Sequence, residues 1–347
     1  MKRFFGSKSE SWSPDDEEDN HYILKTVFVC LGIVFLFLVG LGIYWSMTPA
    51  PFDVNAATQK EVSKLNQQVV VGSTTTVALI EVTSTLLEKP GGFLSNDIMP
   101  PSLWLDNMPN WEYGVLIQVR DMSKAMREAF SRSQSQSTED DDLAIAESRF
   151  NFDNSSWALP PSESEYKEGI KYLRNYLERL GNADSSNAQY FSRADNLRYW
   201  LGTVETRLGS LSQRLSASVG QRRINTDLAG VPGALRATDV PAEELVKTPW
   251  IEIDDVFFEA RGSAWALIHF LKAIEVDFQD VLEKKNALVS LQQIVRELEA
   301  SQDTVVSPMI LNGGGFGFLA NHSLVMASYI SRANAAIIDL RELLSQG

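Results

Sequence analysis

TVFVCLGIVFLFLVGLGIYW, residues 26–45, runs for twenty residues without a charged side chain. As a helix rising 1.5 Å per residue it covers about 30 Å, the thickness of one hydrocarbon core. The core helix of a soluble protein is rarely apolar on every face, and a cleavable leader carries a shorter apolar run followed by a small-residue site. The expectation is therefore a transmembrane helix over residues 23–46. Tyr22 lies at one edge and Tyr44 with Trp45 at the other, where amphipathic rings favour the headgroup level. Lys2, Arg3, Lys8 and Lys25 precede the run, and the next basic residue is Lys60. The positive-inside rule then places the N-terminus in the cytoplasm and the rest of the chain across the membrane; the acidic residues at 15–19 count for little in that rule. Gly32, Gly40 and Gly42 do not form a G-x-x-x-G face, so the run carries no strong dimerisation motif.

Working outward, residues 1–22 are polar and acid-rich and read as a disordered cytoplasmic tail, either a solvated leader or a docking peptide. Cys30, inside the apolar run, is the only cysteine of the 347 residues. The remaining chain can form no disulfide and offers no thiol to metal or substrate, which suits a bacterial periplasm. The expected localisation is a single-pass protein of the bacterial inner membrane with a periplasmic C-terminal domain. The formal net charge is −14, of which about −12 lies beyond Met47. A strongly acidic domain excludes nucleic acid as the natural partner and disfavours docking on anionic lipid heads.

On the far side, residues 47–59, with Pro49 and Pro51, read as a linker, and residues 60–347 as one all-α domain. Apolar residues recur at spacings of three and four, the helical seam pattern. One seam runs Leu65, Val69, Gly72, Thr76, Leu79, Thr83, Leu86 and stops at Pro90-Gly91-Gly92; a second uses Leu116, Val119, Ser123, Met126 and Phe130. Ser162 with Glu165 has the spacing of a capping box and opens a helix bearing Tyr166, Ile170, Leu173, Leu177 and Leu180, with Gly181 as its stop. Leu197, Leu201, Val204, Leu208, Leu211 and Leu215 form an unbroken set, as do Met326, Ile330, Ala333, Ile337, Leu340 and Leu344. The longest run, from Phe257 to Val295, predicts one helix over about residues 254–300, roughly 70 Å long, or one bent near Lys284, Lys285 and Asn286. Strand signals are short: residues 69–71, 77–80 and 250–253. The pattern predicts an elongated helical bundle, though a parallel coiled coil with a second chain uses the same spacing. Residues 90–111, rich in Pro and Gly yet holding Phe93, Trp104 and Trp111, read as an ordered loop packed on the bundle, and residues 131–142 as a mobile loop tip.

Motifs that carry chemistry are sparse. Beyond the apolar run the histidines are His269 and His322, neither in a metal-spaced pair, and each reads as structural. Ser164 and Lys167 match S-x-x-K, but the match coincides with a helix start. Asp254, Asp255 and Glu259 are the best carboxylate cluster, Asp255 and Glu259 lying one turn apart; acidic residues at a helix start also simply complement its dipole. Gly313, Gly314, Gly315 and Gly317, just before a helix, could expose N–H groups to an anion. Alternatively they form an inter-helix turn whose two phenylalanines pack on the bundle. No metal and no cofactor is expected.

GGGFGFLANHSLVMASYISRANAAIIDLRELL, residues 313–344, and EKPGGFLSNDIMPPSLWLDNMPNWEYGVL, residues 88–116, with the single N-terminal apolar run, resemble the proteobacterial domain-of-unknown-function family 2333. The resemblance implies an inner-membrane envelope protein and carries over no catalytic residues. The expected role is a non-enzymatic scaffold. It would touch the bilayer through residues 23–46 and bind other envelope proteins, or associate with itself through its helical seams. The alternatives are a peptidoglycan-acting enzyme using the carboxylate cluster and a sensor whose glycine loop takes a small ligand.

Overall fold

The computed structural model describes residues 14–133, 138–182, 188–224, 243–307, 309–314 and 317–346. Among them the chain forms eleven α-helices and a two-stranded antiparallel ribbon, so the body is all-α as its seams predict. Helix α1 (Pro14–Trp45) contains the apolar stretch His21–Trp45. That stretch is long and apolar enough to cross a membrane, and only 6% of its most apolar window is buried against the rest of the chain. A core helix would be covered; this one is bare.

Helix α8 (Ile253–Asp277) is the axis of the bundle, with every side chain from Arg261 to Leu271 buried. A helix apolar on all faces must be surrounded by others. Helices α2 (Val54–Lys64) and α3 (Ser73–Glu88) pack on one side. Helix α4 (Asn107–Ala125) runs parallel to α8: Asn110 meets Asp255 near the start of both, and Phe130, beyond the end of α4, meets Phe278. Helices α5 (Asp141–Phe150) and α6 (Ser162–Leu180) pack together, with Gly169 leaving room for the Phe150 ring. Helices α7 (Ala194–Ser216) and α11 (His322–Ser345) form a long antiparallel pair that buries both predicted seams against each other within one chain. Helices α4 and α8 approach each other closely. A Cβ at Gly262 would stand 2.0 Å from the Trp111 carbonyl oxygen, and one at Gly114 would stand 2.1 Å from that of Glu259.

The helix expected over residues 254–300 is instead a hairpin. Helix α8 ends at Asp277, the short α9 (Gln279–Lys284) follows, and Asn286, at φ 52°, turns the chain so that α10 (Leu288–Ala300) returns along α8. Gln292 reaches Glu275, Lys272 pairs with Glu299, and Arg261 meets the carbonyls of Gln302 and Asp303. The bend predicted near Lys285 is placed correctly, but the seven-residue repeat survives a reversal and so gave no sign of one. The seam through Leu65 and Leu86 is likewise interrupted, by a turn in which Asn66 and Gly72 have positive φ. Helix α2 also starts at Val54, inside the stretch expected as linker.

The capping box at Ser162 does not form. The Ser162 hydroxyl donates to the carbonyls of Asp153 and Ser156, tying down the preceding loop, and Glu165 pairs with Arg149. Gly181 does end α6, but with negative φ, and a Cβ there would meet the Gln67 amide oxygen at 2.2 Å, the end of a side chain that can move aside. The antiparallel ribbon of β1 (Gln221–Ile224) and β2 (Glu243–Val246) carries no signal read from the sequence, whereas residues 69–71 lie in a turn and residues 77–80 and 250–253 in helical elements. Within the acidic stretch expected as a loop tip, residues 134–137 lie outside the described residues, and Asp140 caps α5 by accepting from the Asp142 and Leu143 amides.

Helix α3 has Gly72 at its N-cap and no side-chain cap of its own; the cap comes from α8 instead. Asp277 Oδ2 accepts from the Thr75 amide and the Thr75 hydroxyl, each at 2.7 Å. Burial raises this carboxyl above its usual range, and the amides at the start of α3 pull it down. Asp277→Asn removes the negative charge facing the helix N-terminus and is expected to lower stability by about 1–2 kcal/mol, read as a lower midpoint in chemical denaturation.

Candidate functional site at the joint of the apolar helix and the bundle

Helix α1 ends by laying Trp45 on Gly91, where a Cβ would come within 2.8 Å of the indole. Gly91 and Gly92 both adopt positive φ in the turn that leaves α3. Beside it lies a fully buried ion pair: Lys89 Nζ stands 2.5 Å from Glu112 Oε1 and donates to the Gly92 carbonyl. Glu112 also accepts from the Leu94 amide, the Ser95 amide and the Ser95 hydroxyl. Burial pushes the Glu112 carboxyl up, and the Lys89 ammonium and the other donors pull it back. The segment after α3 is thereby locked onto α4. The chain then runs alongside α1: Trp104 meets Phe35 at 6.5 Å between ring centroids, and Gly42 lies against Pro101 and Leu105. The expected packing of Phe93 and Trp111 holds, both being buried, whereas Trp104 is exposed against α1.

Beyond Trp45 the chain is pinned a second time. The Phe52 ring stacks on His269 at 4.0 Å and 17°, and its N–H donates to Nε2 at 3.0 Å. The Nδ1 of His269 lies 2.7 Å from the Trp265 carbonyl and carries the proton, so the ring is neutral. Burial lowers its pKa to about 4. Below about pH 6.5 the unfolded chain takes up a proton that the folded one refuses, so stability falls as pH drops from 6.5 towards 4. Between pH 7 and pH 5 wild type should lose about 2 kcal/mol relative to His269→Gln, which keeps an acceptor but does not titrate. Denaturant titrations at the two pH values measure this, and an unchanged difference would refute it. His322 is also structural: its Nδ1 accepts from the Leu311 amide.

Two of the three predicted carboxylates go to different neighbours. Asp255 accepts from the Asn110 amide at 2.7 Å, on the α4 side, while Glu259 pairs with Arg214 of α7. Burial raises Asp255 to about 6, with Asp254, Asp106 and Glu252 adding to it; burial also raises Asp254. Glu259 lines a cavity of about 330 Å³ with Tyr113, Gln118, Arg207 and Arg214, but Asp254 and Asp255 do not. The structure does not bring the three to one cleft.

In the glycine loop the Gly313 amide donates to the Ala320 carbonyl, and Asn321 holds both Asn312 and Gly313. A Cβ at Gly313 would meet the Leu319 carbonyl oxygen at 2.0 Å, so close backbone approach explains this glycine. Nothing lies within 4 Å of a Cβ at Gly314. Gly315 and Phe316 lie outside the described residues. Phe318, expected to pack on the bundle, is fully exposed next to Gly317. Sequence reading missed the Lys89–Glu112 pair; its one trace is that each charge sits among apolar neighbours, in LLEKPGGFL and NWEYGVL.

An outward-facing apolar helix seated on an all-α bundle defines the class of protein. The particular family follows from comparison: residues 17–347 match the family model described as an uncharacterised protein conserved in bacteria, DUF2333, and the chain belongs to that family. No curated protein and no solved structure matches it.

Proposed function

We propose that the chain is an anchored interaction module of the bacterial envelope, with its N-terminus in the cytoplasm, α1 in the inner membrane and the bundle in the periplasm. The carrying observation is the bare apolar stretch His21–Trp45, whose last residue is packed into the bundle. The basic residues ahead of it and the absence of cysteine beyond it support the orientation. The α7 and α11 seams are already occupied, so a partner meets the acidic outer surface rather than those seams. Fractionation should recover the full chain with inner membranes. A cysteine placed at exposed Val289 in a Cys30→Ser background should react with an impermeant maleimide from the periplasmic side; reaction only after lysis would overturn the orientation. In-cell crosslinking should retrieve envelope proteins, and retrieval of cytosolic proteins alone would overturn the role.

The raised Asp255 carboxyl favours one second reading, an enzyme acting on cell-wall glycan. Incubating the protein with peptidoglycan should then release soluble fragments, and Asp255→Asn should abolish the release.

A further inference from the structure

Between Asp97 and Asp106 lie eight consecutive uncharged residues, IMPPSLWL, 98–105. Ile98, Met99, Leu103 and Trp104 each leave more than half of their surface exposed, a costly display for a loop in water. Part of the loop's backbone is already accounted for within the loop. Pro100 and Pro101 have no N–H, and a tight turn closes the Leu103, Trp104 and Leu105 amides onto the carbonyls of Met99, Pro101 and Ser102. The Ser102 hydroxyl lies within hydrogen-bond reach of both the Met99 carbonyl and the Asp97 carboxylate.

Position along α1 decides what meets this loop. Pro101 and Leu105 lie against Gly42, and Trp104 lies against Phe35. Phe35 is ten residues before Trp45, about 15 Å along the helix and halfway through the charge-free run. The loop therefore shares the depth of the outer half of that run. Two more exposed tryptophans stand at the same end of the bundle, where indoles favour the headgroup level. Trp157 adjoins Ser156, whose carbonyl holds Asn96 at the root of the loop; Trp250 precedes α8, beside the start of α4.

We propose that residues 98–105 enter the outer leaflet of the same bilayer that α1 crosses, giving the bundle a second, non-helical attachment to the acyl-chain region. The inference rests on α1 spanning the membrane. Its ligand is the hydrocarbon of the lipid rather than the headgroups, since the loop has no charge and the domain around it is acidic. Asp97 and Asp106 mark where it returns to water.

The test uses full-length protein, Cys30→Ser, reconstituted in vesicles of phosphatidylethanolamine and phosphatidylglycerol. Single cysteines at Leu103, at Val39 in α1, and at Val289 at the opposite end of the bundle carry an environment-sensitive fluorophore. The Leu103 label should behave like the Val39 label: blue-shifted, quenched several-fold more by lipid-borne nitroxide than by aqueous iodide, with Val289 showing the reverse. If Leu103 follows Val289 while Val39 remains lipid-quenched, the loop proposal fails and the span stands. If Leu103 is shielded from both quenchers, protein such as a second copy covers it, and the proposal fails again. Iodide quenching at Val39 would overturn the span itself, and the loop proposal with it.

Discussion

Glu112→Gln is expected to destabilise the full-length protein by about 3–5 kcal/mol, the range found when one partner of a buried ion pair is removed. Lys89 has no exposed surface on its side chain and would keep a full positive charge facing a neutral amide and the Gly92 carbonyl. The glutamine would also turn its NH₂ donor toward a group that already donates, the Leu94 amide in one orientation or the Ser95 amide in the other. Lys89→Met should be comparably damaging, because it strands the carboxylate. The double variant Lys89→Met with Glu112→Leu should recover part of the loss, since an apolar pair of similar volume removes both desolvation costs. Denaturant midpoints of the four proteins in detergent test this; a loss below about 1 kcal/mol for Glu112→Gln would show that the pair is not buried as described.

Gly262→Ala is the second large effect, a loss of about 3 kcal/mol or more. One added methyl would meet backbone, the Trp111 carbonyl oxygen at 2.0 Å, and backbone cannot rotate away as a side chain can. The whole of α4 must move, taking with it the Trp111–Trp265 contact and the Ser263 hydroxyl bond to Gly114. Gly114→Ala should act similarly, against the Glu259 carbonyl oxygen at 2.1 Å. Gly209, in the middle of α7, is the control. The nearest atom to a Cβ there is Asn334 Nδ2 at 3.6 Å, and alanine should stabilise by up to about 1 kcal/mol through helix propensity. Thermal midpoints that fell equally for Gly209 and Gly262 would refute the crossing as the cause.

These two sites also show where the sequence is readable. Seams such as Leu197 to Leu215 and Met326 to Leu344 repeat faithfully and pack as helices, because burial on one face is all a seam demands. The return of α10 along α8 was hidden, since Phe278, Val281 and Leu288 keep the repeat through the turn while a single residue, Asn286, reverses the chain. The glycines at 114 and 262 are 148 residues apart, and no local pattern says that they meet. The site divides likewise. Asp255 and Glu259 were identifiable as carboxylates one turn apart, but their different partners on α4 and α7 are tertiary facts. His269 reads as structural from its isolation; that it holds Phe52 depends on the path of residues 46–53 across the bundle. The Lys89–Glu112 pair joins two segments whose neighbours gave no spacing to read.

Pinning at both Trp45 and Phe52 sets the reach of the molecule. A free tether of the intervening length would let its cargo wander about 15 Å in any direction and sweep for partners. Bolted at both ends of that tether, the bundle is a turret without a swivel: with α1 in the bilayer as proposed above, it moves only as its anchor slides through the plane of the lipid, and whatever binds it must arrive at one fixed height and angle.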